Sequence, residues 1–95
     1  MTIEHSEIRQ TLLEKVRARG SEKSICPSEV ARALGGEHWR SLMDAVRHVG
    51  AELRDEGLIV ALQKGHPVNP LQAKGPIRFK LVNQRSPKSD TSLTR

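Results

Sequence analysis

Ile25-Cys-Pro-Ser-Glu-Val-Ala-Arg-Ala-Leu-Gly-Gly36 carries a short helix together with its own start and stop signals. Pro27 disfavours α geometry at Cys26 and suits the first helical position, where its missing N–H costs nothing. Glu29 then falls at the third position, able to reach back to a free backbone amide. Val30, Ala31 and Leu34 form the side to be buried, and Gly35-Gly36 supplies the left-handed residue that commonly stops a helix. The preceding Lys23-Ser-Ile-Cys26 is too short for a helix and predicts a brief extended strand.

On the N-terminal side, Ile8, Leu12, Leu13 and Val16 make one apolar stripe, predicting a helix over residues 6–19. Ser6 is the expected N-cap, Arg17 and Arg19 complement the carbonyl end, and Gly20 ends it. On the C-terminal side, Trp39, Leu42, Met43, Val46, Val49, Gly50 and Leu53 share a stripe. They predict one long third helix over residues 37–56, closed by Gly57. From Leu58 the period becomes two, with Leu58, Val60 and Leu62 alternating against Ile59, Ala61 and Gln63, which reads as a strand. Lys64 to Gly75 is rich in turn formers, and beyond it Ile77, Phe79 and Leu81 alternate with Arg78, Lys80 and Val82. The two strands predict a hairpin with a long loop. Residues 83–95 are rich in Ser, Thr and charge with Leu93 their one apolar side chain, and are expected to form a disordered basic tail.

Helix, short strand, helix, Gly-Gly turn, longer helix and hairpin is the element order of an α+β winged helix. In it a three-helix helix-turn-helix core is covered by a short strand and a C-terminal β-hairpin, whose loop is the wing. Residues 1–82 are expected to form that single domain.

The stretch from Ile25 to Gly36, with Trp39, Gln63-Lys64-Gly65, Val68, Pro70 and Gly75-Pro-Ile-Arg78, resembles a small bacterial family catalogued as a domain of unknown function. The resemblance spans about residues 6 to 82. It implies a winged-helix-like fold and a cytoplasmic bacterial setting, and brings with it no catalytic residue and no ligand.

Ninety-five residues at 10.6 kDa leave room for one domain with a small core. With Trp39 and Phe79 the only aromatic residues, ring-stacking platforms for single-stranded nucleic acid are nearly excluded. Cys26 has no second cysteine to pair with, which fits a reducing compartment, and its place before a helix suits a small buried residue or an N-cap. No apolar run approaches the roughly 18 residues of a membrane span, and the N-terminus lacks signal-peptide character, so the cytoplasm is the expected location. His5, His38, His48 and His66 lack metal-ligand spacing. No phosphate loop or nucleophile elbow occurs, so neither catalysis, metal nor cofactor is expected.

The net charge of +5 is unevenly spread: residues 1–63 hold nine Lys/Arg against ten Asp/Glu, whereas residues 64–95 hold seven against Asp90 alone. Any surface for phosphate is therefore expected toward the C-terminal side. Lys64, His66, Lys74 and Arg78, with Lys80, lie on or beside the expected wing, where they can straddle a phosphate backbone. On the third helix, Ser41, Asp44, His48, Ala51, Glu52 and Asp55 are expected to face outward, with Arg40, Arg47 and Arg54 nearer the flank. Arg40, Ser41, Arg47 and His48 are of the types that touch base edges or phosphates. Residues 37–56 nevertheless carry three Arg against five acids. That balance leaves two expectations: a module binding duplex DNA through the wing and third helix, or a non-enzymatic protein-interaction module whose acidic helix face and basic wing meet a complementary partner. The oligomeric state is not legible.

Overall fold

The computed structural model describes residues 3–82. Within them the chain is α+β, running α1 (His5–Arg19), β1 (Ser24–Ile25), α2 (Pro27–Gly35), a 3₁₀ turn (Gly36–Leu42), α3 (Met43–Asp55), β2 (Ile59–Gln63), β3 (His66–Pro67) and β4 (Arg78–Leu81). The strands form one antiparallel sheet in the order β1-β4-β2-β3. No helix among the described residues is long and apolar enough to cross a membrane. The expected tail at 83–95 lies outside the described residues.

Each helix start follows a local cause. Glu4, not Ser6, caps α1, in a reciprocal arrangement in which the Glu4 amide donates to the Glu7 carboxylate at 2.9 Å. At α2 the Cys26 amide donates to Glu29 Oε2 at 3.0 Å, with Pro27 in the first turn and Gly36 ending the helix at φ +55°. Leu12, Val16, Val30, Val46, Val49 and Leu53 from the three helices meet Ile25, Ile59, Ala61, Ile77 and Phe79 from the sheet side in one core.

Phe79 is the hub of that core. Its β4 neighbours are Ile25 on β1 and Ala61 on β2, and all three are buried on the inner face. Ala61 and Gly50 leave the space its ring occupies, since a Cβ at Gly50 would lie 2.6 Å from Phe79 Cε1.

The long third helix is in fact two pieces. His38, at φ −101° and ψ 21°, is non-helical, and the segment 36–42 is a 3₁₀ turn against α2 rather than the first turns of α3. Two local features divert it: Gly36 has already left helical φ, and Ser41 Oγ donates to the His38 carbonyl at 2.7 Å, a bond that competes with the α ladder. Gly35 lets Leu42 approach α2, because a Cβ there would meet Leu42 Cδ1 at 2.8 Å. Trp39, Leu42 and Met43 consequently pack half-buried at the margin of the core instead of on its central stripe. Ala51, expected to face outward, is buried at 7% exposure.

The hairpin loop also holds more structure than its composition suggests. After β2, Lys64 and Gly65 take positive φ (53° and 84°) in a two-residue turn, and His66 and Pro67 fold back along the free edge of β2. Residues 68–77 then cross to the opposite edge of β2, where β4 pairs. Asn69 organises the crossing: its side chain accepts from Leu71 N, and its carbonyl accepts from Gln72 and Ala73.

Candidate nucleic-acid interface

Four of the residues singled out in the sequence converge. Lys64, His66, Lys74 and Arg78 line one groove of about 840 Å3, closed along its sides by Ser24, Cys26, Leu62, Gln63, Val68, Pro76 and Ile77. Among the described residues no Asp or Glu lines it. The turn at Lys64-Gly65 sets one wall, the return leg at Lys74 the other, and β1 with the start of α2 the end. Lys64, His66 and Lys74 are exposed, and none has a side-chain partner among the described residues. The two lysine charges and the hydrogen-bonding capacity of all three are free for an anion.

Arg78 is positioned more firmly. Its Nε donates to Ser24 Oγ at 2.6 Å and its Nη2 to the Ser24 carbonyl at 3.1 Å, which ties β4 to β1. A guanidinium has five N–H donors, so those two bonds fix its plane and leave donors to spare. Gln63 joins the groove's two walls, its Nε2 donating to the carbonyls of Lys74 and Pro76. Neither Ser24 nor Cys26 stood out as a groove residue in the sequence, because the strand pairing that brings β1 beside β4 joins residues more than fifty positions apart; Gln63, next to Lys64, has the alternation of an ordinary strand position.

The helix-three set separates. Arg47 is half-buried, and its Nη1 donates to the carbonyls of Pro70 (3.3 Å) and Ala73 (2.9 Å) and its Nη2 to that of Gly75 (2.7 Å). It is the clamp of the crossover loop, with its charge committed to those oxygens instead of to a groove or phosphate. Arg40 is exposed and lies over the Trp39 ring, 4.6 Å from its centre. Ser41 bonds back to His38. His48 is exposed, with Nδ1 donating to the Asp44 carbonyl at 2.9 Å, so its neutral form carries the proton on Nδ1 and offers Nε2 outward as an acceptor. Beside it, Leu71 at the crossing is 50% exposed, across a shallow depression from Asp44 and His48.

Glu52 of α3 and Glu56 just after it are turned toward α1. Glu52 Oε1 meets His5 Nε2 at 2.8 Å, and Glu56 accepts two bonds from Arg9, at 2.6 and 2.7 Å. The Arg9 guanidinium holds the Glu56 carboxyl below its usual range, and the carboxylate raises Arg9 in turn. The acidity of residues 37–56 is therefore partly spent on helix packing.

The family model described as "Protein of unknown function (DUF3253)" matches residues 5–82, and the chain belongs to that family. No curated protein matches it.

Proposed function

We propose that this DUF3253 chain is a small winged-helix module that binds duplex DNA without catalysing a reaction on it, its wing gripping the phosphate backbone. The wing is the β2–β4 hairpin with its crossover, and α2, the 3₁₀ turn and α3 stand as the helix-turn-helix. One observation carries this reading: Lys64, His66, Lys74 and Arg78 gather around a single groove that no acid among the described residues lines. Lysine and arginine side chains so arranged neutralise phosphates, and with a hydrogen-bonding His66 beside them hold the protein in register without reading sequence. The helix-three contribution is narrower than its sequence suggests. With Arg47 committed to the loop, Arg40, Ser41 and His48 remain exposed for backbone or base edges. The pairing of Glu52 and Glu56 with α1 lessens the repulsion a phosphate would meet from α3.

The test is charge reversal in the groove. Lys64→Glu combined with Lys74→Glu is expected to weaken binding to duplexes of any sequence by tenfold or more at low salt, and to flatten the log-affinity against log-salt slope by about 2. Fluorescence anisotropy of a labelled duplex reads both. Affinity unchanged by the double reversal would remove the groove from DNA binding.

A further inference from the structure

The Trp39 indole has a cation on each of two neighbouring elements. The Arg32 guanidinium of α2 lies 4.4 Å from the ring centre and the Arg40 guanidinium of the 3₁₀ turn lies 4.6 Å from it. Both arginines are exposed, and neither has a hydrogen-bond or ion-pair partner among the described residues. Glu37 is the one acid of the 3₁₀ segment, and Glu29, the one acid of α2, is committed to Arg19 and the Cys26 amide. Two like charges converging on one ring repel each other, and the negative face of the indole offsets only part of that. The arrangement has a use if an anion completes it. Contact with the ring holds each guanidinium beside it and leaves N–H donors available, and the guanidinium fork suits a phosphate oxygen pair. It also pre-orders two long side chains, which lowers the entropy lost on binding. The close approach of Leu42 to Gly35 holds the turn that carries Arg40 against the helix that carries Arg32.

We infer that Arg32 and Arg40, mounted on Trp39, form a second phosphate-binding point for the nucleic-acid backbone, separate from the wing groove. The inference rests on the duplex-binding reading above. Cys26, on the groove, caps the start of α2, and Arg32 lies six residues further on, about 9 Å along the axis at 1.5 Å per residue. The two cationic points thus lie toward opposite ends of α2, with that helix between them.

Trp39 is the only tryptophan, so its emission reports on this point alone. The experiment titrates the full chain with a short labelled duplex at low and moderate salt, following Trp39 emission and duplex anisotropy together. The expected result is a saturable, salt-sensitive emission change with the same midpoint as the anisotropy. Arg32→Gln with Arg40→Gln abolishes the emission change and weakens duplex binding about tenfold, the equivalent of about 1.4 kcal/mol. Lys64→Glu with Lys74→Glu shifts the midpoint but keeps the emission change at saturation. Arg32→Lys with Arg40→Lys, which keeps the charge but loses the planar fork, falls between. Circular dichroism checks that each variant folds. Duplex binding with unchanged Trp39 emission, or native affinity in the Gln variant, overturns the second point and leaves the groove standing. An emission response to polyglutamate but not to duplex assigns the stack to an acidic protein and overturns the inference. No anisotropy change with any duplex overturns both.

Discussion

Arg47 fastens the crossover loop through three carbonyl oxygens from Pro70, Ala73 and Gly75. Removing it leaves those oxygens without their shared donor, so Arg47→Ala is predicted to destabilise the fold by about 1–3 kcal/mol in urea titration, with Arg47→Lys intermediate. Backbone amide shifts over residues 69–76 should move in the Ala variant, and an Ala variant as stable as the native chain would contradict the clamp. Gly50 bears on the core in another way. An added methyl group would run into the Phe79 ring, so Gly50→Ala is predicted to cost about 1–3 kcal/mol despite its better helix propensity, again by urea titration. Sequence periodicity placed Gly50 on the buried stripe, but the ring that requires it comes from a strand 29 residues later. Likewise Arg47 is legible in the sequence as a cation near the helix flank. Its partners are backbone carbonyls, which look alike in every residue, so nothing in the chain's composition marks them.

At the scale of elements, the periodic segments appeared where expected, because α1, α2, β2 and β4 each carry an apolar pattern with a Gly or Pro close to at least one end. The third helix misled at its start. Trp39, Leu42 and Met43 have helical spacing, but apolar spacing is indifferent to whether a 3₁₀ or an α turn carries it. The diversion came from Gly36 and from the Ser41–His38 bond. Strand β3 was missed because two residues, one of them proline, give no alternation to detect. The α1–α3 contact makes a pH-dependent prediction. Glu56 is held below its ordinary pKa by Arg9, so its contribution to stability is present above the unfolded value, about 4.3, and is lost as pH falls through the lower folded value. Glu56→Gln is therefore expected to be less stable than the native chain at neutral pH, with the gap closing below about pH 4 in acid-unfolding curves. A gap that stays constant across that window would show that the pair contributes no linkage.

For the whole molecule, the element order carried the α+β architecture and the charge asymmetry pointed to the segment between β2 and β4, since both are properties of long stretches of chain. The groove itself was half legible. Lys64, His66, Lys74 and Arg78 could be picked out by sign and proximity in sequence, whereas its far wall of Ser24 and Cys26 depends on β1 pairing with β4. The proposed protein–duplex contact therefore has two parts, a groove at the wing and a stacked arginine pair near the end of α2, joined by one small rigid core. Where a duplex touches the chain decides between these surfaces. The most direct measurement is a backbone amide-shift titration of the isotope-labelled full chain with a short generic duplex at low and moderate salt. Salt-sensitive shifts at residues 24–26, 63–66 and 74–78 are predicted, with a second group at 32 and 39–41. Shifts confined to residues 83–95, or none at either salt, would contradict duplex binding by the wing.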